Sequence, residues 1–225
     1  MKKILFLSSG VPDTVTETLS DKFEIRKLPP CPELDGPVST HADMLLGVLD
    51  GRIVVTRSYF EENKELFSGC GVIITDEHHE KKYPSDVLFN FIDAGDTAVG
   101  YEKALTKAVN KPVVNVKQGY TRCSTLIFGK CAVSADAGIL SALSASGYET
   151  LEISAGNIVL PGYGYGFIGG ASFCADGEVY FFGSLSYHPD GEKIRAFLYA
   201  RGADIKELSP GPLTDHGGAV ILDSP

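Results

Sequence analysis

The stretch His41-Ala-Asp-Met-Leu-Leu-Gly-Val-Leu-Asp-Gly-Arg-Ile-Val-Val55 has two apolar segments joined by the dipeptide Asp50-Gly51. Asp-Gly between two apolar runs is a strong β-hairpin signal, because both residues tolerate the positive φ that a tight hairpin turn needs. A helical pattern over residues 58–68 and an apolar strand over residues 71–75 come next. The stretch therefore predicts a unit of strand, strand, helix and strand.

The same unit recurs along the chain, and a fixed order of elements is the signature of a repeat fold. Three further copies begin at Ser85, Arg122 and Gly169, with predicted helices over residues 101–109, 138–146 and 191–200. The chain ends supply the parts of a fifth copy. Residues 218–222 read as a first strand with nothing after it, and residues 3–28 read as a unit that lacks its first strand.

We therefore predict one α/β domain over residues 1–225, a five-unit α/β-propeller of pseudo-fivefold symmetry. Pairing of the C-terminal strand with the N-terminal unit would close the ring. Closure would also remove two exposed sheet edges, which otherwise promote aggregation. The alternative is an open mixed sheet whose similar turns arise by chance.

Composition excludes several classes of protein. The formal net charge is −9 and the chain has no Lys/Arg run, which disfavours a nucleic-acid-binding surface. No apolar stretch is long enough to span a membrane and no signal peptide is recognisable, so we expect a cytoplasmic protein without membrane contact. The expected partner is a small cationic or neutral molecule, or another protein.

The cysteines and glycines predict neither a metal site nor a cofactor. The five cysteines form no CxxC pair and no array with histidines, so we expect reduced thiols. Cys31 lies between two prolines and is expected to be an exposed thiol, and His78-His79 is expected in a solvated loop. The glycine-rich segment 160–170 opens no helix after a strand, so it is not a dinucleotide-binding signature, but its tyrosines are candidate pocket walls.

Two short motifs stand at the starts of units. His41-Ala42-Asp43 opens one unit, and Arg122-Cys123-Ser124 opens the unit two places later. This arrangement resembles the pentein fold of the guanidino-group-modifying enzymes: the arginine deiminases, dimethylarginine dimethylaminohydrolases, agmatine deiminases and amidinotransferases. The resemblance implies a distant bacterial branch of that superfamily. The superfamily's Glu-Gly-Gly-Asp motif corresponds to His216-Gly-Gly-Ala219, which keeps the glycines and lacks both acids.

The resemblance implies a set of site residues, because the unit starts of such a ring converge near its axis. These are Cys123 and His41 as catalytic residues, with Asp43, Asp86, Ser172 and His216 around the substrate. Cys123 would attack the amidine carbon as a thiolate of lowered pKa, and His41 would act as general acid and base. Asp43 and Asp86 would hold the cation.

Each of these residues also has a purely structural interpretation. Cys123 is also typical of a small buried strand residue, His41 of a hydrogen-bonded structural histidine, and the two aspartates of solvated strand ends. Two functions therefore stay open. One is a cysteine-dependent hydrolase or amidinotransferase acting through a covalent thiouronium intermediate. The other is a non-catalytic pentein that binds a protein or small ligand, as the ribosome anti-association factor of that fold does.

Overall fold

A computed structural model describes residues 2–222, which form fifteen strands in five separate three-stranded sheets. In chain order the elements are β1 (Lys3–Ser8), α1 (Asp13–Ser20), β2 (Phe23–Leu28), α2 (Ala42–Leu45), β3 (Gly47–Leu49), β4 (Arg52–Thr56), α3 (Arg57–Glu62), β5 (Val72–Thr75), β6 (Ile92–Asp93), β7 (Ala98–Gly100), β8 (Val113–Asn115), β9 (Thr125–Phe128), β10 (Cys131–Ser134), α4 (Ala137–Ala145), β11 (Glu149–Glu152), β12 (Ser172–Ala175), β13 (Glu178–Phe181), α5 (Gly191–Tyr199), β14 (Asp204–Glu207) and β15 (Ala219–Leu222). Short 3-10 helices cover Gly36–Val38, Lys64–Phe67 and Leu185–Tyr187.

Every sheet has the same plan. Its middle strand pairs antiparallel with the first strand of the unit and parallel with the third. The hairpin turns form where the sequence predicts them: Asp50 and Gly51 have φ of 50° and 72°, and Asp176 and Gly177 have φ of 50° and 81°. The repeated unit is therefore confirmed.

The two chain ends share one sheet. β15 pairs antiparallel with β1, with Leu5 opposite Ile221, and β1 pairs parallel with β2. Ile4 and Phe6 of β1 are fully buried, and burying such a side chain stabilises a fold by about 1.5–3 kcal/mol. The five sheets remain separate, since no hydrogen-bonded sheet runs around the molecule within residues 2–222.

One predicted helix is wrong. Residues 101–109 form turns rather than a helix. The side chain of Glu77 accepts hydrogen bonds from the Thr106 hydroxyl at 2.5 Å and from the Lys107 backbone N–H at 2.9 Å, and the Thr106 N–H donates to the carbonyl of Leu88. The two backbone N–H groups, of Thr106 and Lys107, are donors that a helix would use for its own hydrogen bonds, so tertiary contacts override the local propensity.

The unit starts also differ from the prediction. His41 and Asp43 do not open a strand; they lie in a helical turn, α2, for which His41 is the N-cap residue. Cys123 likewise lies in a turn that precedes β9, where the Ser124 N–H donates to the carbonyl of Tyr120. These turns bring adjacent side chains to different sides of the chain. Among residues 2–222, no helix is long and apolar enough to cross a membrane.

Candidate active site

A cavity of about 250 Å³ contains both His41 and Cys123 in its wall. The two residues belong to different units, and the turns before β3 and β9 bring them to the same cavity. Each is only 5% exposed. The structure thus brings together the two residues that the sequence assigns to catalysis.

Asp215 is a third polar residue of this cavity, and the sequence analysis missed it. Its Oδ1 atom lies 3.7 Å from Nδ1 of His41. The carboxyl is held by backbone donors, with the Gly217 N–H 2.9 Å from Oδ1 and the Phe167 N–H 2.8 Å from Oδ2. It occupies the position immediately before His216, one place earlier than the acid of the Glu-Gly-Gly-Asp motif.

Two glycines leave room for this carboxyl group. A Cβ atom on Gly170 would stand 2.0 Å from Oδ1 of Asp215, and one on Gly166 would stand 2.4 Å from its Cβ. Gly217 has φ of 76°, and a Cβ atom there would stand 2.3 Å from Cβ of His41. The glycine-rich segment therefore passes directly against Asp215.

Burial shifts both Asp215 and His41 towards their uncharged forms. Burial, together with the nearby Asp43, raises the pKa of Asp215 from 3.8 to about 7, although the two backbone N–H bonds oppose the shift. Burial lowers the pKa of His41, an effect that Asp43 partly offsets. Both directions favour the neutral forms, and 3.7 Å is longer than a hydrogen bond. The two groups are therefore close enough to interact through charge without forming a hydrogen-bonded ion pair.

Cys123 is anchored through its backbone by Asn90, and its surroundings favour the neutral thiol. Its backbone N–H donates to Oδ1 of Asn90 at 3.0 Å, and Nδ2 of Asn90 donates to the carbonyl of Asp43 at 3.1 Å. Burial raises the pKa of the thiol well above its ordinary value, and the nearby carboxyls of Asp43 and Asp215 raise it further. The expectation of a lowered pKa is therefore wrong, because acids rather than a protonated histidine surround the sulfur.

Asp43 and Ser172 line a second cavity, of about 380 Å³, that shares none of the described lining residues of the first. Asp43 is 2% exposed, and neither of its carboxyl oxygens has a hydrogen-bond partner within residues 2–222. Ser172 donates from Oγ to the carbonyl of Ile168 at 2.7 Å, which completes a local turn. Arg122 also lines this second cavity, whereas its neighbour Cys123 lines the first.

Asp86 and His216 lie near the first cavity without lining it. Oδ2 of Asp86 accepts a hydrogen bond of 2.5 Å from the hydroxyl of Tyr120, and Tyr120 is part of the cavity wall. Burial raises the pKa of Asp86, against the effect of this bond. His216 packs edge-on against Phe182, and burial together with the nearby His41 lowers its pKa to about 4.

Two other expectations about exposure are wrong. Cys31 is 3% exposed because the loop that carries it packs into the core beside Leu34, and its backbone N–H donates to the carbonyl of Ser39. His79 is also buried and packs edge-on against Phe89, whereas its neighbour His78 is exposed. All five cysteines are free thiols.

Comparisons with known proteins agree with this architecture. Residues 6–220 match the model of a family described as "Family of unknown function (DUF6873)", and the chain therefore belongs to that family. A search of the curated proteins found no match.

Three solved structures share the fold. A dimethylarginine dimethylaminohydrolase in adduct with S-methyl-L-thiocitrulline has a TM-score of 0.57 at 13% identity, with 92% of each chain covered. The Pseudomonas aeruginosa dimethylarginine dimethylaminohydrolase, a cysteine-to-serine mutant complexed with citrulline, has a TM-score of 0.57 at 11% identity over 99% of each chain. The C. jejuni agmatine deiminase has a TM-score of 0.57 at 10% identity, over 100% of this chain and 94% of the other. The predicted resemblance to the pentein fold is thus confirmed.

Proposed function

We propose that the cavity containing His41 and Cys123 is the active site of a cysteine-dependent enzyme that breaks a C–N bond of a guanidino or amidino compound. The observation that carries the proposal is the presence of Cys123, His41 and Asp215 in one largely buried cavity. A nucleophile, an acid–base group and a carboxyl that orients the base form a common catalytic arrangement. The enzymes that share the fold add the substrate class.

In this proposal the substrate activates the thiol. A guanidinium that enters the cavity brings a positive charge next to Cys123, and a nearby cation favours the thiolate. The thiol proton passes to His41, and the sulfur attacks the central carbon to form a C–S bond. The C–N bond then breaks, and the departing amine takes the proton from His41.

The second half of the reaction releases the enzyme. The thiouronium carbon accepts a water molecule whose proton passes to His41. The C–S bond breaks, the sulfur recovers a proton, and the product leaves as the corresponding urea or amide. In its ionised form Asp215, whose Oδ1 lies 3.7 Å from Nδ1 of His41, stabilises the imidazolium through charge.

Asp43 and Asp86, predicted to bind the substrate, do not line the cavity of Cys123. In this proposal they act on the bound cation through their charge. Asp43, which lines the second cavity, raises the pKa of Cys123. Asp86 accepts a hydrogen bond from the hydroxyl of Tyr120, which lines the first cavity. In this proposal both carboxyls favour a cation in the cavity. Ser172 and His216 support the turns that carry the site.

We also propose that the five sheets stand around a common axis as a closed ring of five units. The pairing of β15 with β1 supports this arrangement, because it joins the two chain ends within one unit. Contacts of β12 with both β9 and β15 support it as well, because they bring the first strands of neighbouring units together. A ring of this kind explains why residues from distant units meet at one cavity.

The proposal is tested by measuring the release of ammonia or amine from a panel of guanidino and amidino compounds, with the Cys123→Ser variant as control. We expect release that depends on Cys123 and falls at least about a hundredfold in His41→Ala. Ligand-induced stabilisation without any release would instead favour the second candidate, a non-catalytic binding protein. The deep burial of Cys123 and His41, which raises the pKa of the thiol and lowers that of the imidazole, favours this candidate.

A further inference from the structure

The side chains that line the cavity around Cys123 determine which chemical groups can bind there beside the cationic head of a ligand. Resting on the proposed function, we infer that the substrate has an apolar or aromatic tail and no carboxylate. It is an aryl- or alkyl-substituted guanidine or amidine rather than an amino acid such as arginine.

The walls beyond the catalytic residues are mostly apolar. The walls include Val38, Met44, Tyr120, Leu160, Tyr165 and Phe167, and Tyr163 and Gly164 complete them. Among the residues that the structure describes, none of those lining this cavity is Lys or Arg. A tail that fills the cavity is therefore removed from water and receives no positive charge from the walls.

Aromatic rings run from the cavity towards the solvent. The ring of Phe167 stacks on that of Tyr120 with centroids 6.0 Å apart, and Tyr165 packs edge-on against Phe167 at 5.9 Å. Tyr165 is 49% exposed, so part of its ring remains accessible to a ligand. An aryl tail would add a further ring to this row and gain the stacking and apolar burial of such contacts.

The tyrosine hydroxyls do not offer a ligand carboxylate the binding partner that a Lys or Arg side chain would provide. The hydroxyl of Tyr163 donates to Oδ2 of Asp35 at 2.7 Å, and that of Tyr120 donates to Asp86. Both protons are thus engaged with carboxylates, and a ligand carboxylate at these positions would meet negative charge instead of a donor. Burying an unpaired carboxylate is among the most costly changes in a protein interior.

The test compares three ligands of matched size by thermal shift and calorimetry on the Cys123→Ser variant, which binds without reacting, with Cys123→Ala as a second inactive form. The ligands are phenethylguanidine, its neutral analogue phenethylurea, and arginine. We expect phenethylguanidine to bind at least about tenfold more tightly than either of the others, because only it satisfies both the cation site and the apolar walls.

A single substitution should reverse the preference. Tyr165→Arg in the Cys123→Ser background supplies the missing cation at an exposed wall position, so arginine should gain at least about tenfold in affinity over phenethylguanidine. Tyr187→Arg is the matched control, since Tyr187 is 57% exposed and does not line this cavity. It should leave the ratio unchanged.

The outcomes separate the two levels of the proposal. Arginine that binds the Cys123→Ser variant as tightly as phenethylguanidine overturns the apolar tail and leaves the guanidino site standing. Phenethylurea that binds as tightly as phenethylguanidine overturns the guanidino site and leaves the aromatic walls as a binding surface. Binding of none of the three overturns both.

Discussion

At the scale of single residues, the chemistry of the site depends on how Cys123 is surrounded. Burial and the carboxyls of Asp43 and Asp215 all raise the pKa of its thiol. A resting thiol of this kind is poorly nucleophilic, so it resists adventitious alkylation and oxidation until a cation arrives. Selectivity and activation would then come from the same event.

Alkylation by iodoacetamide tests this environment. We expect the rate at Cys123 to rise with pH along a curve whose midpoint lies above the ordinary thiol pKa, and to be at least about tenfold slower at neutral pH than in the unfolded chain. Asp215→Asn removes one of the causes and should lower the midpoint, which separates electrostatics from simple inaccessibility. Peptide mapping distinguishes Cys123 from the other thiols. A midpoint below the ordinary value would contradict the raised pKa.

Asp215 gives the fold a specific pH dependence. Its pKa is about 7 in the folded protein against 3.8 as the ordinary value, so the folded state holds the proton more tightly than the unfolded state. Its contribution to stability is complete below about pH 4 and is lost as the pH rises through about 7. Ionisation in the folded state thus carries the desolvation cost of a buried charge.

We therefore expect Asp215→Asn to gain stability relative to the parent as the pH rises. The difference in the free energy of unfolding should change by on the order of 1 kcal/mol between about pH 6 and about pH 8.5, in favour of the variant. Chemical denaturation at each pH measures it. The loss of one backbone hydrogen bond adds an offset that does not vary with pH. A difference that stays constant across this range would argue against a buried, protonated Asp215.

The two motif residues of the cavity could be predicted from the sequence. The residues that contact them, Asp215 and Asn90, could not. His41 and Cys123 stand at fixed places in the repeated unit, so pattern and resemblance find them. Asp215 is displaced by one position from the acid of the motif, and its carboxyl is held beside His41 by the backbone N–H groups of Gly217 and Phe167. Asn90 lies at no unit start, and its role follows from its hydrogen bonds alone.

At the scale of elements, periodicity and turn residues predict most of the strands. They fail where a side chain from another unit binds the backbone, as Glu77 does by accepting a hydrogen bond from the Lys107 N–H. The pairing of β15 with β1 joins the two ends of the described chain in one sheet. It covers Phe6, which is fully buried and stacks with Phe67 at 5.8 Å.

Removal of β15 tests how far the fold depends on this pairing. A variant that ends at Gly218 loses β15, and with it the antiparallel partner of the apolar strand β1. Loss of this burial should cost several kcal/mol, comparable to the whole stability of many domains, so we expect cooperative unfolding to disappear. A variant that ends at Leu222 separates this effect from the loss of residues 223–225. Unchanged melting of the shorter variant would show that β15 is dispensable.

At the scale of the whole molecule, the five units place residues from distant parts of the chain around one cavity. His41, Cys123 and Asp215 come from three different units, and no single unit contains a catalytic set. The order of units follows from the sequence repeat. The direction of each side chain does not, because the helical turns before the first strands decide whether a residue faces the cavity of Cys123 or that of Asp43.

The most direct test of the active-site proposal is the intact mass of the protein after brief incubation with guanidino and amidino compounds and an acid quench. We predict a covalent adduct that increases the mass of the protein by the mass of the compound minus that of the departing amine. The adduct should map to the peptide that contains Cys123 and be absent in Cys123→Ser. A panel that yields product at equal rates from the parent and from Cys123→Ser, or that yields neither adduct nor product, would contradict the account.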